Sequence, residues 1–377
     1  MTDIKLSQSG PIEIDMGQTL KLLATAEPEG CSVSFFEWAS ADPNVAAVAA
    51  DGTITGVGTG TTDITVTAAG FTKKISVTVY DPNYNIDDFF AEVAGRTKKT
   101  FTGTGDVAQT VDANGFTFQI PAGAFTQNGV PVTGPYTLEI ETFSKPSDII
   151  LAGTNTNYHG GYGKDYMISD GFFNFTVLVN GQPVDQNFAS WITATVPTDK
   201  DDWTQTEIWY NSGAEGDEFE WTDVTDVDTG AINQDRKGSQ AWANNGGFTF
   251  SFDKAGLYNC DILWSLAQTN GAITYSVTFT GKTTSPDDIL LYFKVEGVLS
   301  VAEFYNITAD KKGLMSYEQS IPSGVTAKLL AMAVKGGKYY YATKTVTTGT
   351  TDTFDSLEMI QTTKAELLKQ IEALDNY

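Results

Sequence analysis

The sequence predicts an all-β protein made of tandem β-sandwich domains, with a short amphipathic helix at the C-terminus. Many segments alternate apolar and polar residues with period two and are rich in β-branched or aromatic side chains. Turn-forming pairs such as Asp51-Gly52 and Asn114-Gly115 separate them. Short strands at such close spacing are typical of sandwiches. The segments predicted as strands are residues 19–25, 62–67, 74–80, 115–120, 136–143, 171–179, 191–197, 247–252 and 273–279.

Length and charge restrict the classes of function. The chain has 377 residues, enough for two or three domains that each bury a core. Its 41% apolar and 12% aromatic content excludes a disordered chain. The net charge of −24 disfavours nucleic acid and anionic membrane surfaces as partners, because both would repel it. No segment reaches the ~18 apolar residues of a membrane span.

Turn-rich and composition boundaries divide the chain into blocks. The first domain is predicted at residues 1–81, where it ends in an Asp-Pro-Asn turn. A middle domain is predicted at residues 97–268 and a third at residues 272–350. A linker rich in threonine and glycine then leads to a helical segment at residues 361–377. A second helical candidate, residues 86–93, lies at the first domain junction.

The C-terminal segment has the marks of an amphipathic helix. Thr363 and Glu366 have the spacing of a capping box, in which each side chain accepts from a backbone N–H of the first turn. An isolated helix of about three turns is marginal in water, so its apolar stripe must pack on something. We predict an assembly or anchoring element that packs on a neighbouring subunit or carrier surface; docking on its own third domain is the alternative. The stripe consists of Leu367, Leu368, Ile371 and Leu374.

A series of short motifs marks the first domain. They are residues 37–40, 44–48, 51–56, 60–66 and 75–79. With these motifs, residues 4–80 resemble the bacterial Ig-like group 2 domain, which implies an Ig-like β-sandwich with Trp38 in its core. The resemblance also implies a non-catalytic module of the kind found in bacterial surface proteins, adhesins and many phage virion proteins.

The later domains carry weaker marks. In the middle domain they are residues 115–125, 129–134 and 256–261. This pattern resembles a β-sandwich module of Bacteroidota surface proteins and is similar to the β-domain shared by ankyrins and netrin receptors. Leu257 and Tyr258 depart from the pattern, which weakens its last mark. The third domain is similar to transthyretin-like or Ig-like appendage domains.

Rare residues exclude several kinds of site. The chain has one histidine, His159, and two cysteines, Cys31 and Cys260. Zinc sites rich in histidine and cysteine cannot be built from this set, and any catalytic triad would have to use His159. The two cysteines fall in different predicted domains, so we expect two unpaired thiols.

A glycine-rich, aromatic segment is the candidate glycan-binding site. Tyr158, His159 and Tyr162 lie within it, and their rings suit stacking on a sugar. The alternative is an ordinary sandwich loop, which tolerates the same composition. Further aromatic residues could form a sugar-stacking platform or serve in core packing. They are Trp203, Trp209, Tyr210 and Trp221.

An acidic stretch before Gly230 is the candidate calcium site. Asp226 and Asp228 alternate along an extended chain and offer the hard oxygen ligands that Ca²⁺ prefers. A solvated acidic strand edge that discourages edge-to-edge pairing is the alternative. No other cofactor is expected. Although 47 acidic residues offer many carboxylate pairs, nothing indicates the deep cleft that glycoside hydrolysis requires, so we expect no enzyme activity.

Together these features indicate a non-enzymatic structural or adhesion protein displayed on a surface. One hypothesis is a phage virion component, such as a capsid decoration or fibre on the virion surface; a start at Met1 without a visible signal peptide favours it. The alternative is the mature part of an exported Bacteroidota lipoprotein or adhesin on the cell surface, which the middle domain favours. A carbohydrate-binding accessory protein is a third hypothesis. Expected partners are other virion or cell-surface proteins in an oligomer or larger assembly, and glycans.

Overall fold

A computed structural model describes residues 1–31, 33, 35–160, 163–197, 207–211, 221–223, 242–244, 247–263 and 271–377. The described residues form two compact units. The first contains Met1–Phe89 and Val334–Tyr339, and the second contains Phe90–Ala333 and Tyr340–Tyr377. Strands dominate both units, which confirms the all-β prediction. The predicted middle block lies in the second unit, as does the third block apart from Val334–Tyr339.

The first unit contains strands that form three small sheets. The strands are β1 (Asp3–Leu6), β2 (Ile12–Asp15), β3 (Thr19–Lys21), β4 (Ala24–Glu27), β5 (Glu37–Ser40), β6 (Ala46–Val48), β7 (Thr53–Gly56), β8 (Gly60–Ala68) and β9 (Phe71–Tyr80). In the described part of this unit the sheet orders are β1-β4, β2-β9-β8-β5 and β3-β7-β6, and β2 runs parallel to β9. The predicted strand at residues 19–25 is divided between β3 and β4, which belong to different sheets.

Both larger sheets supply side chains to the core of the first unit. Alternate residues of β8 and β9 point inward, as the period-two pattern predicts. Ile64 and Val77 are fully buried there, together with Ile54 from the facing sheet. Trp38 on β5 is partly buried and packs against this cluster and a neighbouring one around Ile4. This position agrees with the core role predicted for the indole.

Gly52 shows why the Asp51-Gly52 turn matters to this core. Its φ of +81° is a left-handed conformation that disfavours residues with a Cβ. A Cβ at Gly52 would also lie 2.9 Å from Cζ2 of Trp38 and would overlap the carbonyl oxygen of Leu22. The turn therefore needs glycine for its conformation and for its close approach to the indole.

We expect Gly52→Ala to destabilise the first unit more than Gly70→Ala does. Gly70 has nearly the same φ, +83°, but a Cβ there would meet no atom within 4 Å. The difference isolates the packing conflict, for which overpacking values predict about 1–3 kcal/mol. Hydrogen exchange of the β7–β9 amides in the full chain measures it. Equal losses of stability in the two variants would show that the Trp38 indole and the Leu22 carbonyl can move away from the added methyl group.

The second unit contains a β-sandwich formed by the middle block. Its strands are β10 (Lys98–Thr104), β11 (Gln109–Ala113), β12 (Phe116–Ile120), β13 (Thr126–Gln127), β14 (Val130–Pro131), β15 (Pro135–Phe143), β16 (Asn157–Gly160), β17 (Gly163–Val179), β18 (Gln182–Pro183), β19 (Asn187–Pro197), β20 (Glu207–Asn211), β21 (Thr222–Asp223), β22 (Trp242–Asn244), β23 (Gly247–Lys254) and β24 (Gly256–Leu263). Among the described residues, one sheet has the order β10-β15-β17-β24-β20-β21 and the other β11-β12-β19-β23-β22.

Aromatic side chains from both sheets fill this sandwich. Phe173 on β17 is fully buried, and its ring lies 4.8 Å from Phe118 and 5.6 Å from Tyr258, measured between centroids. Phe250 and Phe252 from the facing sheet surround it at 6.0 and 5.5 Å. Burial of such rings is a large stabilising contribution, so Phe173 is a centre of the core.

The third block adds a second sheet system to the same unit. Its strands are β25 (Ala272–Ile273), β26 (Tyr275–Gly281), β27 (Leu290–Val295), β28 (Ala302–Glu303), β29 (Asn306–Ile307), β30 (Gly313–Met315), β31 (Ile321–Pro322), β32 (Thr326–Lys335), β33 (Lys338–Thr347) and β34 (Thr353–Thr362). The order of the main sheet is β28-β27-β32-β33-β34-β26-β30-β29, and β26 runs parallel to β34. Tyr166 of the middle block belongs to the core of this third block.

Helices are short in the described part of the chain. They are α1 (Ile86–Val93), α2 (Pro146–Leu151) and α3 (Lys364–Glu372), with 3-10 turns at Pro286–Asp288 and Ala373–Asn376. Both predicted helical segments are therefore confirmed. Within the described residues, no helix has the length and apolar character needed to cross a bilayer.

Candidate functional site

The predicted glycan-binding segment forms strand structure on both sides of its centre. Tyr158 and His159 lie on β16, which pairs with β17 so that Tyr158 is opposite Asp165 and His159 is opposite Lys164. Tyr162 lies outside the described residues. The described part of this segment is therefore paired antiparallel strand, whereas its glycine content suggests a loop. Glycan binding by these residues stays a prediction.

The other predicted ligand sites give mixed outcomes. Asp226 and Asp228 lie outside the described residues, as does Trp203. Within the described ranges, no group of three or more histidine, cysteine or acidic side chains is placed to hold a metal ion. Trp209 and Trp221 are buried, so core packing is the correct alternative for both. Neither cysteine forms a disulfide, which agrees with the prediction: Cys260 is buried and Cys31 is partly buried.

Tyr210 is partly buried and has a local structural role. Its hydroxyl donates to the carbonyl of Ala255 at 3.0 Å and accepts from the amide of Gln186 at 2.8 Å. These bonds fix the ring at the edge of the sandwich, where it packs against Tyr258 at 5.1 Å between centroids. The phenol therefore holds strand ends together rather than standing free for a ligand.

The C-terminal helix buries its stripe within the chain itself. Leu367, Ile371 and Leu374 are fully or almost fully buried, and Leu368 is partly buried. The Thr363 hydroxyl accepts from the backbone N–H of Glu366 at 3.2 Å, which confirms half of the predicted capping box. The Glu366 carboxylate instead accepts from Gln370 at 2.7 Å.

Several hydrogen-bonded contacts hold this C-terminal segment in the second unit, and two of them involve its last three residues. The Asp375 carboxylate accepts from the backbone N–H and the hydroxyl of Ser147, at 2.9 and 2.8 Å, in the first turn of α2. The carbonyl of Tyr377 accepts from the N–H of Gly297 at 3.0 Å. The C-terminal segment thus docks on both the middle and the third block. The sequence leaves docking on the third domain as the alternative to assembly, and the structure is close to that alternative. Its role in assembly stays a prediction.

A hydrogen-bonded cluster joins the middle and third blocks, and we call it the junction. Most of its residues are buried, Glu303 is partly buried and Tyr305 is exposed at its edge. It consists of Asn155, Thr156, Asn157, Tyr166, Ser169, Ser300, Val301, Glu303 and Tyr305. The Thr156 N–H donates to the Val301 carbonyl at 2.9 Å, and the Val301 N–H donates to the Thr156 hydroxyl at 2.9 Å. The two residues therefore pair like neighbours in adjacent strands, except that the acceptor for the Val301 N–H is the Thr156 hydroxyl instead of a backbone carbonyl.

Asn157 makes a similar pair of hydrogen bonds with the backbone of Glu303, two residues after Val301. Its side-chain amide donates to the carbonyl of Glu303 at 2.7 Å, and its side-chain oxygen accepts from the N–H of Glu303 at 3.0 Å. Both backbone groups of Glu303 are therefore satisfied by one side chain. Since buried backbone polar groups need partners, Asn157 replaces the ladder bonds that a neighbouring strand would supply.

Tyr166 and Ser169 extend the junction along β17. The Tyr166 hydroxyl donates to the carbonyl of Ser300 at 2.7 Å and accepts from the N–H of Val295 at 3.3 Å. The Ser169 N–H donates to the Ser300 hydroxyl at 2.7 Å. Burial raises the pKa of the Tyr166 phenol well above its ordinary value. The phenol therefore stays protonated and keeps its donor.

Glu303 is the junction group whose pKa is shifted into the neutral range. Burial raises the pKa of its carboxyl from 4.5 to about 7, and hydrogen bonds from Tyr305 and Asn155 oppose this shift. The Asn155 amide lies 3.4 Å from the Glu303 carboxylate and also donates to the Tyr305 hydroxyl. An acid with this pKa could transfer protons near neutral pH. Its neighbours, however, are residues that join the two blocks.

We expect Glu303→Gln to flatten the dependence of stability on pH. The folded pKa is above the unfolded one, so the parent's stability is highest below about pH 4.5 and falls as pH rises to about 7. The amide should therefore stabilise the protein at pH 8 by about 1–3 kcal/mol and change little at pH 4. Urea denaturation at both pH values measures this. Glu318→Gln removes an exposed carboxylate of the same block and is the charge control; a parallel shift in both variants would contradict the assignment.

Lys294 is a buried lysine in the otherwise apolar strand β27. It is 2% exposed, and its ammonium donates to the carbonyl of Val295 at 2.7 Å. Burial lowers the pKa of its ammonium group to about 8, and the charges of Asp375 and Glu296 oppose that shift. Asp375 therefore supports the fold in two ways, by its bonds to Ser147 and by its charge near Lys294.

Comparison with known proteins identifies the first domain. Residues 2–79 match the family model described as bacterial Ig-like domain (group 2), which confirms the resemblance predicted for residues 4–80. No curated protein matches the chain. Domains of this family occur in extracellular and surface proteins, so in general terms the chain is a surface or structural protein. The resemblances stated for the middle and third blocks stay predictions.

Proposed function

We propose that this chain is a non-enzymatic structural protein displayed on the surface of a phage virion, as a capsid decoration or fibre component. The observation that carries the proposal is the Ig-like group 2 domain at residues 2–79. Such domains imply a display or adhesion module without catalytic residues. The polar side chains of the junction support the same conclusion, because their hydrogen bonds connect two blocks of the fold.

The charge of the chain favours the outer surface of a particle. A net charge of −24 would be repelled by packaged nucleic acid, so an interior position would be unfavourable. On the outside, the same charge keeps particles dispersed. The partners on this proposal are other virion proteins that hold the chain in place.

Immunogold electron microscopy tests the proposal. An antibody raised against the purified chain is applied to gradient-purified particles and to intact cells from the source culture. Label on the outside of particles, together with the chain in the particle fraction after a high-salt wash, supports the virion role. Absence of the chain from particles, with label on cells, would contradict it.

The second candidate is an exported surface lipoprotein or adhesin of the Bacteroidota type. It is supported by the pattern at residues 115–125, where β12 is followed by a turn that buries Ala124 and Phe125. Metabolic labelling of the source cells with an alkyne fatty acid distinguishes the candidates. Label on the chain supports lipid anchoring, whereas its absence together with immunogold label on particles supports the virion role.

A further inference from the structure

A groove crosses the outer face of the sheet formed by β11, β12 and β19. Its volume is about 390 Å³, within the range of small-ligand sites, which is roughly 300–1,000 Å³. All of its lining residues are uncharged, on a chain with a net charge of −24. The lining residues that strand alternation places on the outer face are Thr110, Gln119, Trp191 and Thr193.

The strand register explains how these side chains meet. Thr110 pairs with Gln119, and Gln119 pairs with Thr193, so the three residues form a row across neighbouring strands. The alternation of each strand sends Val111 and Phe118 into the core and leaves this row on the outer face. The row is therefore fixed by rigid strands rather than by loops.

Trp191 borders this row. Trp191 lies on β19 two residues before Thr193 and is partly buried, so its indole is held by packing while part of it faces the groove. Gln109 lines one end of the groove, but its amide donates to the Tyr136 hydroxyl of the facing sheet at 2.7 Å, so Gln109 supports the groove wall and is not assigned to the ligand. The packing of the indole is a preorganisation that reduces the entropy lost on binding.

We propose that this groove binds an uncharged carbohydrate. An indole provides a flat apolar surface for the C–H face of a sugar ring, and amide and hydroxyl groups donate to and accept from sugar hydroxyls. Among the residues that the structure describes, the lining offers no cation for an anionic ligand and no carboxylate for a cationic one. The site is separate from the segment around Tyr158 and does not rest on the proposed virion role.

Affinity electrophoresis of the full chain tests the proposal. Native gels contain dextran, galactomannan, xyloglucan or mixed-linkage glucan as neutral probes, and alginate as an anionic one. We expect retardation in at least one neutral gel and none in alginate. Trp191→Ala should weaken binding about tenfold or more, and Gln119→Ala should weaken it by a smaller factor.

Controls keep the proposal falsifiable. Phe354→Ala removes an aromatic side chain that is 78% exposed on β34 and should leave retardation unchanged. Trp191→Phe should retain part of the binding because it keeps a ring. Should Trp191→Ala fail to fold by circular dichroism, Gln119→Ala and Thr110→Ala decide, since both side chains are exposed. Absence of retardation in every neutral gel, or unchanged retardation of the groove variants, would overturn the proposal.

Discussion

Replacement of Phe173 by alanine is expected to lower the free energy of unfolding of the second unit by about 3–5 kcal/mol. The side chain is fully buried, and its ring packs on Phe118, Phe250 and Phe252 of the facing sheet and on Tyr258 of its own sheet. Removal of the ring leaves a cavity that the rigid strands on either side cannot close. Urea denaturation of the full chain measures the loss, with hydrogen exchange of the β15 and β17 amides to assign it to this unit.

Phe354 provides the matched control for this prediction. It is also a phenylalanine of the second unit, but its side chain is 78% exposed. Phe354→Ala should change the free energy of unfolding by no more than about 0.5 kcal/mol. Similar losses in the two variants would contradict the assignment of Phe173 as a centre of the core.

The second large effect is expected in the C-terminal helix. Ile371→Ala should cost about 2–5 kcal/mol, because the side chain is fully buried within the second unit. Leu368→Ala should cost clearly less, since Leu368 lies on the same helix but is only partly buried. Denaturation of both variants measures the difference, and light scattering determines the oligomeric state of each.

These two measurements separate docking within the chain from assembly. Loss of stability in Ile371→Ala without a change of oligomeric state agrees with the contacts to Ser147 and Gly297. Unchanged stability together with loss of an oligomer would show that the stripe serves a second subunit.

Local sequence patterns predicted nine strand segments, a minority of the strands in the described residues, and both helical segments. Period-two alternation identified strands such as β8, β9 and β12, and the Thr363 cap located the start of α3, because these signals depend on neighbouring residues. The strand predicted at residues 19–25 was wrong in one respect. Its two halves join different sheets, and partner choice depends on residues far along the chain.

The junction could not be predicted for the same reason. Thr156 and Val301 are separated by 145 positions, and no local pattern indicates that they pair. Asn155, Thr156 and Asn157 are three consecutive polar residues that are all buried in the structure. Their burial cannot be read from the sequence, where such a polar run is also typical of an exposed loop.

Hydrogen exchange of Asn157→Ala tests most directly whether the junction serves the structure. The variant removes both partners of the Glu303 backbone and should cost about 2–4 kcal/mol, because unsatisfied buried groups are expensive. If the junction unites the middle and third blocks, amides of β17 and of β27 should lose protection together and by the same free energy. Loss of protection in β27 with β17 unchanged would contradict a single unit, and full protection in both would show that the junction contributes nothing to the fold.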